Sequence, residues 1–312
     1  MPLTNAQRRH WSDEGYLVVE GFFDDAEVDA VEQVLQRTWE RRPSDVTVDD
    51  LLTGRRMRAR EVTDEHRAHR FKVNDLYLSD ARLRGVISSE RVVDLLGELL
   101  EDQPVVCNTL NLDKGSQQAD HLDTLYMTPR TEGKLVATWM ALEDTHADAG
   151  PLRYWPGSHH IEPFRFADGS LHVEQERMEE WSGYMADSVQ RRGLEEQRFL
   201  ARRGDLFIWS ALLLHGGSDI RNVDLTRKSL VTHFFAAADC TAQGLRTEPV
   251  EHGAGRWWDR PPQPIPGEEM TDSERELAAM REAEQLVVTP RRPAVARPTR
   301  WDRLRGRSSS RH

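Results

Sequence analysis

The chain has 312 residues, 38% of them apolar and 30% charged, with a formal charge of −11 at pH 7. Such a composition suits a folded, well-solvated protein with a substantial core, and its acidic balance argues against a general nucleic-acid binder. No run reaches the roughly 18 apolar residues of a membrane span, the N-terminus has no apolar signal segment, and Cys107 and Cys240 alone build no disulfide framework. The expectation is a cytoplasmic protein without a membrane partner.

Residues 4–14 read as a short helix opened by Thr4, and "YLVVEGFF" (16–23) as a buried strand. Asp24 is an N-cap for a helix whose Val28, Val31, Val34 and Leu35 recur at helical spacing. Residues 41–70 are highly charged and read as a loop or mobile lid, followed by an amphipathic helix over 89–102. Beyond it the texture changes. The segments 104–112, 134–142, 151–157, 205–215 and 228–237 are short, apolar and β-branched or aromatic, and turn residues separate them, so each predicts a strand. A polar, helix-favouring insertion interrupts the series within 161–203. Helices first and then a β-rich core over about 104–238 suggest one mainly β domain with flanking helices, spanning 1–290. Residues 291–312 hold eight Arg and one Asp, a net of +7, which leaves −18 on the rest. That composition predicts a disordered tail, with a basic arm for phosphate or nucleic acid as the alternative reading.

Histidine, any residue, then an acid occurs three times: His121/Asp123, His146/Asp148 and His172/Glu174. With 12 His and 53 acidic residues, about two matches arise by chance, so context decides. His121/Asp123 follows a strand across the polar loop "DKGSQQAD". His146/Asp148 lies in a turn-rich connection, and His172/Glu174 opens the insertion. Only the first pair has company. His215 ends the apolar run "FIWSALLLH" before two glycines, and Arg227 opens the strand "RKSLVTHFF". Two histidines and one carboxylate on one face leave other metal positions open, the facial arrangement of non-haem Fe(II) oxygenases. A bidentate 2-oxo acid and O2 fill those positions, and an arginine fork suits the far carboxylate of 2-oxoglutarate. Taken singly, His215 reads as a core histidine and Arg227 as a surface charge; their order and placement at strand ends favour the metal reading.

These segments resemble the phytanoyl-CoA dioxygenase-like Fe(II)/2-oxoglutarate oxygenases over roughly residues 3–238. The resemblance is carried by the opening "LTNAQRRHWSDEGYLVVEGFFDDAEVDAV", by "HLD", by "WMALEDTHADAGPLRYWPGSHH" and by "GDLFIWSALLLHGGSDIRNVDLTRKSLVTHF". It implies a double-stranded β-helix, the jelly-roll core shared with cupins, with helices packed outside. It further implies iron ligation by His121, Asp123 and His215 and an Arg227 anchor for 2-oxoglutarate. Ser229, two residues on along the strand, would assist Arg227. Trp139 matches a tryptophan near the cosubstrate, with an ordinary core aromatic as the alternative. Lys72 in "RFKVNDL" matches a lysine that reaches the cosubstrate, with a surface lysine as the alternative. His159 and His160 read as structural. His233, following Arg227 on its strand, reads as a buried core residue, with a place lining the pocket as the alternative.

The activity implied is hydroxylation, or a related oxidation, of a small organic molecule such as a metabolite or natural-product intermediate. Fe(II), 2-oxoglutarate and O2 would be consumed or bound, and succinate and CO2 released. The loop "GSQQAD" and the insertion do not resemble a pocket for a long acyl-CoA. Two other readings stay open: a non-catalytic binding protein on the same barrel, and a cupin-like metalloenzyme that uses no oxo acid.

Overall fold

A computed structural model describes residues 2–66, 69–167, 169–242 and 249–267; the tail at 291–312 and the end of the expected domain at 290 lie outside them. Helix α1 (Asn5–Glu14) opens on Thr4, which caps reciprocally with Gln7, and closes on Gly15 at φ +79°. A Cβ at Gly15 would stand 2.4 Å from the His159 ring. His159 also bonds Ser12 O at 3.1 Å, the structural role expected of it.

Strand β1 (Tyr16–Val19) is shorter than the expected 16–23, because the chain turns at Gly21 with φ +56°. Helix α2 (Asp25–Arg41) is capped by Asp24 with Glu27 and buries Val28, Val31, Val34 and Leu35, as their spacing requires.

The charged stretch 41–70 is not simply a loop or lid. It contains β2 (Thr47–Asp50) and β3 (Arg56–Arg58), which with β4 (Phe71–Asn74) extend the sheet. The charges are compatible with strands because they pair across them: Asp49 bonds Arg56 at 2.6 Å and Lys72 at 3.2 Å, and Asp50 bonds His69 at 2.7 Å.

Helices α3 (Ala81–Ile87) and α4 (Glu90–Leu100) precede β5 (Pro104–Leu112), which has the expected bounds. There follow β6 (Leu135–Ala141), β7 (Leu152–Tyr154), α5 (Met178–Arg192), β8 (Gln197–Phe199), β9 (Leu206–Ser210), β10 (His215–Gly217), β11 (Ser229–Ala236), α6 (Ala237–Ala242), β12 (Val250–His252) and β13 (Gly255–Trp257). The single strand expected over 205–215 is therefore two. The chain leaves one sheet after Ser210, turns with Leu213 N donating to Ser210 O at 2.8 Å, and enters the other sheet at His215.

The large sheet runs β1-β9-β6-β11-β5-β4-β2-β3, with β13 added in parallel to β5; the small sheet runs β10-β7-β8. Together they form a double-stranded β-helix. Side chains alternate with the two-residue period of a strand. Val136, Met140, Leu206, Ile208, Leu230 and Phe234 face outward onto α2, α3 and α4. Ala137, Trp139, Phe207 and Trp209 face inward, toward Leu152, Tyr154 and Phe199 of the small sheet. The insertion is structural as well as polar. Its Trp181, Met185 and Phe166 pack on Leu122, Leu125 and Leu214, the neighbours of Asp123 and His215. No helix among the described residues is long and apolar enough to cross a membrane.

Candidate metal and cosubstrate site

His121, in the loop after β5, meets His215 of β10 as an isolated antiparallel backbone pair. Each amide donates to the other's carbonyl, at 2.9 Å from His121 and 3.1 Å from His215. The approach depends on small residues: a Cβ at Gly216 would meet Asp120 Oδ1 at 2.5 Å, and one at Gly217 would meet Ser116 Oγ at 2.6 Å. The loop ahead of His121 thus lies flat on β10, and Arg153 bonds Asp120 at 2.7 Å beside it.

Asp123 starts a short 3-10 turn, and its carboxylate faces the Nε2 atoms of both imidazoles. Ligand atoms of His121, Asp123 and His215 lie within 4.8 Å of one another, and all three residues are buried. Each imidazole is oriented from behind, His121 through Nδ1 on Ala119 O at 2.8 Å and His215 through Nδ1 on Leu213 O at 2.9 Å. Carbonyls there fix the Nδ1–H tautomer and turn the Nε2 lone pair inward. The two Nε2 atoms stand 3.8 and 3.6 Å from Asp123 Oδ1. On the other carboxylate oxygen, Trp209 Nε1 donates to Oδ2 at 2.8 Å, leaving Oδ1 free for an ion. Burial, and then the neighbouring His215, lower the His121 pKa to about 3, so its imidazole is neutral. Burial works to raise the Asp123 pKa, but the surrounding histidines outweigh it and hold the carboxyl well below its usual range.

The decoy pair stays apart from this centre. His146 and Asp148 lie 3.8 Å from each other with side chains 62% and 43% exposed. His172 is exposed as well.

A cavity of about 230 Å³ is lined by the triad together with Leu110, Leu112, Trp139, Trp209, Arg227 and Val231 among others. Arg227 is 3% exposed, and no ion pair to it occurs among the described residues. Among the described residues its Nε has no hydrogen-bond partner, and neither does Ser229 Oγ nor Trp139 Nε1. The guanidinium lies over the Trp139 ring at 5.6 Å. Burial alone depresses its pKa, to about 10. A buried cation beside orphaned donors is costly unless an anion joins it, so this end of the cavity fits a carboxylate. Lys72 also lines the cavity, but its ammonium is engaged by Asp49.

One site residue was not legible as such: Trp209 sits in a strand that reads as ordinary core. His233 is buried, as its core reading has it, and it also lines the cavity, the alternative reading, with Nε2 at 3.4 Å from Asp123 Oδ1.

A double-stranded β-helix with two histidines and a carboxylate converging at its mouth defines a class, the metalloproteins with a facial triad and open metal positions. Within that class the chain belongs to the phytanoyl-CoA dioxygenase (PhyH) family, whose model matches residues 11–229. No curated protein sequence matches the chain. Several solved structures share its fold. The non-heme alpha-ketoglutarate-dependent carbocyclase SnoK from nogalamycin biosynthesis is 16% identical, with a TM-score of 0.56, covering 85% of this chain and 94% of its own. EctD from S. alaskensis, solved with 2-oxoglutarate and 5-hydroxyectoine, is 14% identical, with a TM-score of 0.55 and coverage of 88% and 87%. The epimerase SnoN, solved with Fe3+, alpha-ketoglutarate and nogalamycin RO, is 17% identical, with a TM-score of 0.54 and coverage of 82% and 98%.

Proposed function

We propose that the protein is an Fe(II)- and 2-oxoglutarate-dependent dioxygenase that hydroxylates a small organic molecule. The observation that carries this reading is one cavity lined both by a two-histidine, one-carboxylate cluster and by the buried Arg227, which has no ion pair among the described residues. In this reading His121, Asp123 and His215 hold the iron, and Arg227 binds the far carboxylate of 2-oxoglutarate through its planar fork. Ser229 Oγ and Trp139 Nε1 supply two further donors at that carboxylate. With O2, the bound pair supplies a two-electron oxidant and releases succinate and CO2.

The protein's own contribution is placement and exclusion of water. Trp139, Trp209, Leu110, Leu112 and Val231 make the walls largely apolar, so the cosubstrate is held dry between its two anchors. Lys72, already paired with Asp49, contributes charge at the rim and is the weakest of the proposed contacts. A site built for a metal alone has no use for a buried, unpaired Arg227, which sets aside the cupin-like alternative without an oxo acid. A binding protein without turnover has no use for three oriented ligands.

The test is succinate release from 2-oxoglutarate with Fe(II) and ascorbate across a panel of small metabolites. Substrate-stimulated succinate with a product heavier by one oxygen is expected. Stimulation with a product two hydrogens lighter would replace hydroxylation by desaturation or ring closure.

A further inference from the structure

The cavity lining limits what the site can recognise. Every ionisable side chain in it already has a partner or a role. His121, Asp123 and His215 form the triad, and Arg227 is given to the far carboxylate of 2-oxoglutarate. Lys72 pairs with Asp49 at 3.2 Å, and His233 bonds Asn108 Oδ1 at 3.1 Å and faces Asp123 at 3.4 Å. Among the described residues the rest of the wall is apolar, apart from the glycines of β10 and two neutral polar side chains, Ser116 and Gln118. A charged group on a bound molecule would enter this space without a counter-ion, and burying an unpaired charge is strongly unfavourable.

Of the two neutral residues, Ser116 is engaged by its own loop, where Oγ accepts from Gln118 N at 3.2 Å. Gln118 is presented by a backbone with little freedom. Gln117 before it stands at φ +52°, a conformation that residues other than glycine keep only where the surroundings enforce it. Arg70 clamps the loop, donating to Gly115 O at 3.3 Å and to Gln117 Oε1. Gly217 N donates to Gln118 O at 2.9 Å, and a Cβ at Gly115 would meet the carbonyls of Ala149 and Gly150 at 2.8 Å. The result is a side-chain amide fixed beside the triad, with Nε2 at 3.2 Å from His121 Nε2. That histidine nitrogen is the atom the iron reading gives to the metal, so metal binding frees the amide for another partner. The free partner comes from the solvent side. Gln118 is half-buried where Arg227 is 3% exposed, and the His121 ring has the 47% exposed Tyr126 ring at 5.7 Å.

We infer that Gln118 is a specificity-determining residue that receives the substrate, and that the group it receives is a neutral hydroxyl or carbonyl. A primary amide both donates and accepts, so it pairs with either. The substrate class is an uncharged, largely apolar molecule with such a group close to the carbon that is oxidised; a carboxylate or ammonium has no place beside the metal. The inference rests on the iron and 2-oxoglutarate reading above, which accounts for Arg227.

The test uses the full chain loaded with 2-oxoglutarate and Zn(II), a diamagnetic stand-in for Fe(II). Three probes of one shape, cyclohexanone, cyclohexanecarboxylate and cyclohexylammonium, are titrated by ligand-observed NMR. Cyclohexanone should bind at least about tenfold more tightly than either ion. Gln118→Leu should weaken cyclohexanone about threefold to tenfold, the share of one neutral hydrogen bond. Failure of cyclohexanone to bind, equal or tighter binding of either ion, or unchanged cyclohexanone binding in Gln118→Leu overturns the inference; the wild-type comparison stands even if that variant does not fold. If the carboxylate probe binds, Arg227→Leu separates the two levels of the argument. Its loss in that variant would show Arg227 left unoccupied by 2-oxoglutarate and sink the cosubstrate reading, whereas its retention would sink only the present inference.

Discussion

Replacing Trp209 by Phe should weaken Fe(II) binding by about 10- to 100-fold while the fold survives. The indole N–H donates to Asp123 Oδ2 at 2.8 Å, and both side chains are buried. A hydrogen bond to a charged group is worth about 1.5–3 kcal/mol. At about 1.4 kcal/mol per tenfold, that corresponds to roughly one to two decades of affinity, and changes in groups that orient metal ligands elsewhere span about the same range. Phenylalanine keeps an aromatic ring against Phe207 and His215, whose centroids lie 5.8 and 5.1 Å from the indole. What it removes is the donor that reserves Oδ1 for the ion. The assay is anaerobic competition for Fe(II) against a chromophoric chelator, with circular dichroism as the check on folding. An affinity within twofold of wild type would show that Asp123 is oriented without Trp209, and the reasoning would fail.

Arg227→Lys replaces a planar fork by a point charge, and should raise the KM for 2-oxoglutarate at least about tenfold, or roughly 1.4 kcal/mol; an unchanged KM in steady-state succinate assays would move the anchor elsewhere. His146→Ala should keep most of the activity, because that pair is exposed, whereas His121→Ala should abolish it; the reverse pattern in iron content and turnover would contradict the site. For Asp49, burial raises the pKa, but hydrogen bonds and charge from Arg56, Lys72 and Asn74 win and lower it. A lowered folded-state pKa stabilises above the ordinary carboxylate value and loses that contribution as pH falls below about 4. The destabilisation by Asp49→Asn, read from urea unfolding, should therefore be present at neutral pH and shrink under acid; a pH-independent difference would refute the pairing.

The legible parts of the molecule are those whose cause is local. Thr4 with Gln7 and Asp24 with Glu27 announce their helices within four residues. Strand β5 is legible because Val105, Val106, Cys107, Leu110 and Leu112 give it a short apolar run bounded by turn residues. His121 and Asp123 stand two apart in the chain, and the apolar run up to His215 marks a buried strand end. What the sequence hides depends on distant partners. β2 and β3 look like a charged loop until Asp49 meets Arg56 and Lys72 in space. The break between β9 and β10 is concealed because Ala211 to Leu214 is as apolar as the strands it separates. Trp209 takes its role from an aspartate 86 residues earlier, and His233 takes its orientation from an asparagine 125 residues earlier. Neither dependence leaves a local pattern.

The most direct test of the iron and 2-oxoglutarate reading is an anaerobic optical titration of the Fe(II)-loaded protein with 2-oxoglutarate. Chelation of Fe(II) by a 2-oxo acid produces a visible charge-transfer band. The wild-type protein should develop that band and saturate at one 2-oxoglutarate per chain. Asp123→Ala should show none, and Arg227→Leu should require far more 2-oxoglutarate to reach it. A wild-type protein that binds Fe(II) but develops no band, or an Arg227→Leu variant that saturates like wild type, would contradict the account.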